Sequence, residues 1–360
     1  MTTQFSVALV TPLTGPLAPD GLAGLRAATL WARDETLPPP WTEVTLAAFD
    51  AHPDPVAAMR SAEAIRPHAI LGPCGRANAL AVATATRRLI FNHGAPAARF
   101  MRPAFTNVVN IAAPGATWTR EVLEAVRSAD RGATKVILLA NASDDTAETV
   151  AATRSAGRSR GFEVTVCGFH PGQAEVAARR LPPGDVLLVD AQTEDELAAA
   201  EVLLDRPWRA AAFSTGAQGP FAVLGDRREG LLAPRAWVPT ERGEVTDGPS
   251  AAQFIAAYRQ QHGSEPGPSA AAAYAAGVII GRCVRASAGS DDTALAAAAR
   301  GLDTRTLYGR FQLDTLTGIQ VGHRMRVVQW QDRAPVAVWP RTADTPRIRP
   351  RAWRAAAGAR

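Results

Sequence analysis

Short apolar runs alternate along the chain with longer amphipathic or alanine-rich segments. A first series begins with FSVALV at residues 5–10 and continues through VTLAAFD and HAILGP to LIFNHGAP. Each run has the length of a strand and each spacer the length of a helix, which is typical of repeated βαβ units. The pattern therefore predicts a doubly wound parallel sheet in the first part of the chain.

A second series of the same kind follows, with the runs ATKVILLAN, FEVTVCGF, DVLLVDA and WRAAAFST. After Trp237 the order changes to helices near 249–262, 268–288 and 291–301, then to a strand with a turn and a hairpin. The chain must leave one sheet, build another and return. The pattern thus predicts an α/β protein with two doubly wound parallel-sheet lobes.

The end of the chain departs from this pattern. Residues 341–360 are basic, interrupted by proline and without a periodic apolar face. A segment that cannot bury apolar surface gains little from folding. We therefore expect a disordered tail that contributes little to the core.

Composition fits a large globular protein. The chain has 360 residues, of which 47% are hydrophobic and 20% charged, and its net charge is +5. Lys135 is the only lysine, and the arginines are scattered, whereas nucleic-acid binding needs a clustered basic face. No apolar run reaches the roughly 18 residues that span a bilayer. We expect no nucleic-acid partner and no direct membrane insertion.

The cysteines and the first residues of the chain give information about the cellular compartment of the protein. Cys74, Cys167 and Cys283 are far apart, which predicts neither a metal site nor a disulfide framework and fits a reducing compartment or simple burial. The start MTTQFSVALV shows no signal peptide. We expect a periplasmic or extracellular protein if a leader has been removed, and a cytoplasmic one otherwise.

Motifs for catalysis are missing from the sequence. It contains no G-x-S-x-G, no H-E-x-x-H and no phosphate-binding G-K-[ST] loop, and its six histidines do not cluster. The sequence therefore predicts a protein that is not an enzyme, and we expect it to need no cofactor.

Several long segments resemble one family. VALVTPLTGPLAPDGLAGLRAATLWARDE is similar to the opening of type I periplasmic solute-binding proteins of the branched-chain amino-acid class. AILGPCGRANALAVATATRRLIFNHGAPAA and KVILLANASDDTAETVAATRSAGRSRGFEV resemble later segments, and order and spacing agree over roughly residues 5–340. The chain is also similar to amide-sensing regulators of the same fold.

The resemblance implies two lobes joined by three crossovers, with a ligand cleft between them and hinge closure over the ligand. Lobe one would be 1–118 plus 248–325, and lobe two 119–247 plus 326–340. Such a protein delivers a small polar solute to an ABC transporter permease. The alternative is a cytoplasmic ligand sensor of the same fold that regulates a protein partner.

In this family the turns after successive strands contact the ligand, because helix N-termini there expose unpaired N–H groups. The matching turns of this chain, together with charged residues on them and tryptophans near the predicted crossovers, give these candidate ligand-binding residues: Thr14, Asp20, Cys74, Gly75, Arg76, His93, Gly94, Ala95, Trp118, Asp144, Asp145, Gln192, Gly216 and Trp237.

Five positions depart from the amino-acid-binding members of the family. Those members place a hydroxyl residue where this chain has Gly75, a threonine at Pro96, a tyrosine at Asp145, a glutamate at Gly216 and often an aromatic residue at Asp20. The groups that hold an amino acid's carboxylate and ammonium are therefore missing. We expect a small polar ligand that is not a typical branched-chain amino acid.

The acidic candidates have two interpretations. Asp20, Asp144 and Asp145 form an acidic wall that favours a ligand with a positive charge or several hydrogen-bond donors. Alternatively, Asp20 and Asp144 only cap helices, where aspartate is favoured.

The remaining candidates are also open to a structural interpretation. Arg76 and His93 either oppose the acidic wall, or are a solvated charge and a packed side chain. Trp118 and Trp237 either stack on the ligand or fill the protein interior. Gln192 matches a family contact position and suits a polar ligand.

Overall fold

The structure is a computed structural model that describes residues 3–94, 105–240, 243–287 and 289–350, and within helix 144–159 it leaves the side chains of Asp144 and Asp145 undescribed. Ala95 and Pro96 thus lie outside the described residues. The chain divides into two compact units. Unit 1 comprises Met1–Gly115 and Ala236–Arg324, and unit 2 comprises Ala116–Arg235 and Met325–Arg360.

The strands in the described residues are β1 (Gln4–Thr11), β2 (Glu43–Asp50), β3 (Ala69–Gly72), β4 (Ile90–Asn92), β5 (Val108–Asn110), β6 (Lys135–Asn141), β7 (Glu163–Phe169), β8 (Val186–Asp190), β9 (Ala210–Phe213), β10 (Leu232–Arg235), β11 (Asp303–Thr306), β12 (Gly309–Gln312), β13 (Arg326–Gln331) and β14 (Ala334–Trp339).

The α-helices in the same residues are α1 (Ala18–Asp34), α2 (Pro55–Ala64), α3 (Arg76–Ala85), α4 (Trp118–Ala129), α5 (Asp144–Ser159), α6 (Ala174–Arg179), α7 (Thr193–Leu203), α8 (Ala251–His262), α9 (Pro268–Ala286) and α10 (Asp292–Gly301). Short 3₁₀ helices cover Gly115–Thr117 and Gly219–Arg228.

Unit 1 is built on a parallel sheet in the order β2-β1-β3-β4-β5. The order reverses at β1, so the carboxyl ends of β1 and β3 flank the topological switch point where such sheets bind ligands. Helices α1 and α9 cover one face, and Gly277 of α9 lets them approach closely: a Cβ there would lie 2.2 Å from Cδ2 of Trp31. This close approach packs α1 against α9 over the sheet.

Unit 2 repeats the plan with antiparallel additions. Its sheet has the order β14-β13-β10-β9-β8-β6-β7, in which β6 to β10 are parallel and β13 and β14 are antiparallel. Alternate residues of β6 and β8 face opposite cores, one formed with α4 and α5 and the other with α6 and α7. The switch point lies between β6 and β8, at the turns that lead into α5 and α7. The α/β class with two parallel-sheet lobes is confirmed.

The chain passes between the units after Gly115, Arg235 and Arg324, whereas the sequence predicted 118, 247 and 325. The second position differs most, because Trp237 anchors the following segment in unit 1. Its indole Nε1 donates to the carbonyl of Leu307 at 3.0 Å, and its ring packs edge-on against Phe254 of α8.

Residues 341–350 pack along β13 within unit 2. The side-chain amide of Gln329 donates to the carbonyl of Arg349 at 2.9 Å and accepts from its N–H at 2.8 Å. The amide of Gln331 donates to the carbonyl of Arg347 at 2.9 Å, and Ile348 packs against the core beneath α4. The prediction of a disordered tail is wrong for 341–350, because two buried glutamines hold its backbone in place of an apolar face.

Truncation after Pro346 should lower the melting temperature by several degrees. It removes three hydrogen bonds to buried amides, each worth about 0.5–1.5 kcal/mol, and each kcal/mol corresponds to roughly 2–4 °C in a folding unit of about 150–250 residues. The control is Arg349→Ala, which keeps the backbone contacts and removes only an exposed ion pair with Asp332. Melting temperatures are measured by circular dichroism. If the truncated chain has the same melting temperature as the full-length protein, the packing of this segment on β13 does not contribute to stability.

Candidate functional site

A carboxylate fixes the turn after β1. Asp50, at the end of β2, accepts hydrogen bonds from the backbone N–H groups of Leu13 at 2.8 Å and His52 at 3.0 Å, and from the Thr14 hydroxyl at 2.7 Å. Burial works to raise the pKa of Asp50, but these hydrogen bonds outweigh it and lower the pKa to about 2. Thr14 is exposed at the carboxyl edge of the sheet, with its hydroxyl proton committed to Asp50.

The turn after β3 carries three predicted site residues. Cys74 is buried, which raises the pKa of its thiol to about 11 and keeps it protonated. Gly75 has a φ of +86°, and a Cβ there would lie 2.6 Å from Cδ1 of Leu17. The backbone conformation at this position thus favours glycine, and this explains why the chain has no hydroxyl side chain there. Arg76 is half-buried at the start of α3.

The turn after β4 lies against the turn after β3. A Cβ at Gly94 would lie 2.2 Å from the carbonyl oxygen of Pro73, so the two backbones approach as only glycine allows. His93 is buried beside Gly24 of α1, and burial lowers the pKa of its imidazole to about 4. Within the described part of the chain neither ring nitrogen of His93 has a hydrogen-bond partner. The ring is therefore neutral at physiological pH.

Asp20 joins two helices of unit 1. It lies in the first turn of α1, and its carboxylate accepts from the hydroxyl of Ser269 in α9 at 2.7 Å. The N-cap of α1 is Leu17, so the interpretation of Asp20 as the cap is wrong. Its negative charge near the helix N-terminus is favourable through the helix dipole.

The turn after β6 begins α5. Ser143 is the N-cap and forms a reciprocal capping box with Thr146. Asp144 and Asp145 occupy the first two helical positions, so Asp144 is not the N-cap. Their participation in an acidic wall stays a prediction, since the structure does not describe their side chains.

A buried carboxylate joins the turns after β8 and β9. The Glu196 side chain, in α7, is fully buried. One oxygen accepts from the Ser214 N–H at 2.9 Å and hydroxyl at 2.6 Å, and from the Ala191 N–H at 3.3 Å. The other accepts from the Thr215 N–H at 2.9 Å and hydroxyl at 2.6 Å. Five donors from two turns thus converge on one side chain.

Burial raises the pKa of Glu196 to about 7, with a smaller contribution from the neighbouring Asp190 charge, although the hydrogen bonds from Ser214 and Thr215 oppose the shift. Glu196 is not among the site residues that the sequence predicts. A signal was present, because Glu196 lies on the same helix face as Ala199, Ala200 and Leu203, which are all buried.

Two predicted contacts in unit 2 differ in accessibility. Gln192 is exposed at the N-cap position of α7. Gly216 is buried: its carbonyl accepts from the Trp330 indole at 2.8 Å, and a Cβ there would lie 3.1 Å from the Cβ of Phe213. A glutamate side chain does not fit at this position without movement of the neighbouring residues.

The two tryptophans lie in the cores of their own units. Trp118 is only 4% exposed in the core around α4, and Trp237 is 2% exposed in the core of unit 1. This burial favours the interpretation that both rings fill the protein interior, and their contact with a ligand stays a prediction.

A cation also lies at the carboxyl edge of unit 2. Arg235, at the end of β10, is half-buried and donates to the carbonyl of Ala217. Burial lowers the pKa of its guanidinium from the ordinary value. The edge therefore carries side chains of both charge signs, with Asp190 at the end of β8 and the buried Glu196 in α7.

Within the same described ranges, no group of histidine, cysteine, aspartate and glutamate side chains is placed to hold a metal ion. None of the helices described is long and apolar enough to cross a membrane.

Residues 197–335 match the family model for periplasmic binding proteins. No match was found among curated protein sequences.

Solved structures match nearly the whole chain. A leucine-binding protein from Thermotoga maritima is 16% identical, with 92% of this chain and 97% of its own covered and a TM-score of 0.74. A solute-binding protein of an ABC transporter from R. palustris, solved with 4-hydroxybenzoate, is 16% identical, with 92% and 95% covered and a TM-score of 0.74. An ABC transporter substrate-binding protein from Sphaerobacter thermophilus is 20% identical, with 93% and 97% covered and a TM-score of 0.73.

Together, the family match and the shared fold confirm the resemblance to type I periplasmic solute-binding proteins that the sequence indicates.

The free energy of unfolding should carry a pH dependence from Glu196. Between the ordinary pKa of 4.5 and about 7 the folded protein binds more protons at this site than the unfolded chain. Glu196 therefore lowers stability as pH rises through this window, by at most about 1.4 kcal/mol per pH unit. Glu196→Gln removes this slope.

His93 has the opposite effect on the free energy of unfolding. Because burial lowers the pKa of its imidazole to about 4, its contribution to stability increases as pH rises from about 4 to 6.5. The informative quantity is thus the difference between wild type and Glu196→Gln, measured by urea unfolding at several pH values. Glu194→Gln, an exposed position of the same helix, is the matched control. Parallel curves for wild type and Glu196→Gln would refute the buried carboxylate's role.

Proposed function

We propose that this chain, which shares the type I periplasmic solute-binding fold, is a non-enzymatic binding protein that holds one small polar molecule at its carboxyl-edge turns and delivers it to an ABC transporter. The family match over 197–335 supports the binding role. The names of the structural relatives support transport, since they include proteins that bind leucine and 4-hydroxybenzoate.

One observation carries the proposal: buried or hydrogen-bonded carboxylates fix the carboxyl-edge turns in both units. Asp50 accepts hydrogen bonds from the Leu13 N–H and the Thr14 hydroxyl in the turn after β1, and Glu196 accepts five donors from the turns after β8 and β9. Turns that are ordered before the ligand arrives reduce the entropy lost on binding. Such pre-organisation at the switch points of both sheets supports ligand recognition there.

The glycines of the site support a ligand other than a standard branched-chain amino acid. Gly75 has a left-handed backbone, and a Cβ at Gly216 would lie 3.1 Å from the Cβ of Phe213, so neither position presents the polar side chain that amino-acid-binding members use. An α-amino acid loses at least one charged hydrogen bond at each, worth about 1.5–3 kcal/mol.

A thermal-shift screen of amides, polyamines, aromatic acids, sugars and amino acids tests the function. At least one compound should raise the melting temperature, since a ligand at a hundred times its Kd adds about 2.7 kcal/mol of stability. Leucine, isoleucine and valine should shift it least. If no compound binds, or if leucine binds best, the proposal is wrong.

A matched pair of variants locates the binding. Thr14→Val removes a hydroxyl that donates to Asp50 at 2.7 Å on the carboxyl edge of unit 1. Thr134→Val removes an equivalent bond to Asp185, at 3.0 Å, on the opposite edge of the unit 2 sheet. Only Thr14→Val should lower the affinity for the compound found in the screen.

The alternative is a cytoplasmic sensor that regulates a protein partner. It is favoured by Cys74, Cys167 and Cys283, which are all free thiols, as in a reducing compartment. Fractionation of the native host separates the two functions. We expect the protein outside the cytoplasm, as transport requires, and recovery in the cytoplasmic fraction would favour the sensor.

A further inference from the structure

One buried imidazole contacts the backbone next to the places where the chain crosses between the units. Ala113 lies two residues before the first crossing, Ala236 is the first residue after the second, and His323 is the last residue but one before the third. Nδ1 of His323 accepts from the Ala113 N–H at 3.0 Å, and Nε2 lies 2.9 Å from the Ala236 carbonyl oxygen. The His323 side chain therefore joins three chain segments, which all belong to unit 1.

These two contacts fix the tautomer of the ring. A carbonyl oxygen can only accept, so Nε2 of His323 carries the hydrogen, and Nδ1 offers its lone pair to the Ala113 N–H. His323 is only 3% exposed, so a break in either contact leaves a buried polar group without that partner. The cost of such a loss opposes movement of one segment without the other two.

A second buried side chain, Gln320, strengthens the same junction. Its amide nitrogen donates to the Ile111 carbonyl at 3.1 Å, close to the first crossing. Its amide oxygen accepts from the N–H groups of Gly322 at 2.8 Å and His323 at 3.2 Å. Gln320 thus ties the backbone that carries the imidazole to the backbone that the imidazole binds.

The turn between β11 and β12 supports the ring from one side. The Tyr308 ring stacks on the His323 imidazole, with centroids 4.7 Å apart and an angle of 7° between the ring planes. The carbonyl of the preceding Leu307 accepts from the Trp237 indole at 3.0 Å. One turn therefore holds both the imidazole and the segment that follows the second crossing.

We propose that His323 is a positioning residue that holds the unit 1 ends of the three crossings together. Units linked in this way are expected to move relative to each other, and a few residues absorb the change in backbone angles. With His323 in place, the three ends move as one body, and rotation is confined to the residues beyond them. This inference goes beyond the proposed function, because it concerns the free chain and does not depend on the solute.

Spin labels on the two units test the proposal with the full chain. They are attached at the exposed positions Arg60→Cys in α2 and Arg158→Cys in α5, with Cys167→Ser to remove a half-buried thiol. Pulsed electron paramagnetic resonance then gives the distribution of distances between the labels. His323→Ala should broaden this distribution, because the three crossings can then move separately.

Asn107→Ala is the matched control for stability. Asn107 lies at the other end of β5 from these contacts, and its amide donates to the backbone carbonyls of Ala83, Thr86 and Arg88. Both variants should lower the melting temperature, since each removes hydrogen bonds within unit 1, but only His323→Ala should broaden the distribution. A wild-type distribution in His323→Ala, or equal broadening in Asn107→Ala, would overturn the proposal.

Two further variants separate the contacts and keep the test decisive if His323→Ala does not fold. His323→Asn keeps an acceptor near the position of Nδ1, whereas His323→Gln keeps a donor near the position of Nε2. Each should broaden the distribution, since each releases one crossing. The Ala113 amide should exchange its hydrogen about fivefold faster or more in His323→Gln than in His323→Asn, because only His323→Asn retains the buried acceptor. Equal exchange rates in the two variants, or wild-type distributions in both, would overturn the proposal.

Discussion

The carboxyl edges of both sheets depend on one kind of interaction: a carboxylate that collects the free donors of a turn. A turn that follows a parallel strand leaves backbone N–H groups without partners in the sheet, and each costs free energy if it is buried unpaired. Glu196 satisfies the turns after β8 and β9, and Asp50 satisfies the turn after β1. Asp185 does the same for Thr134 and Lys135, at the opposite edge. Because these side chains come from other elements, they fix the turns to the sheet and to each other.

The periodicity of the sequence was sufficient to predict the fold class and strands β1 to β4 and β6 to β9, because buried parallel strands read as short apolar runs. The weaker elements were missed. Strands β5 and β10 have three and four residues, with a proline in β10, and carry too little pattern to be recognised. The packing of 341–350 was also invisible, since it depends on glutamine side chains that meet backbone groups some twenty residues away.

The site was predicted less well than the fold, for a physical reason. Turn positions are fixed by strand order, so Thr14, Arg76 and Gln192 do lie at carboxyl edges. Whether a side chain faces solvent depends on partners distant in sequence. Trp237 is covered by α8, and Glu196 meets hydroxyls 18 and 19 positions further on. The local hydrophobic pattern predicts neither the burial of Trp237 nor the partners of Glu196.

The interleaved course of the chain has a consequence for synthesis. Helix α9, almost wholly buried, covers one face of the unit 1 sheet, yet it is translated only after all of β6 to β10. While the ribosome synthesises the second sheet, the surface of the first sheet that α9 covers in the folded protein is therefore exposed to water. Partly folded chains of this kind are prone to aggregate. Protection of this face until α9 emerges therefore limits aggregation of the nascent polypeptide.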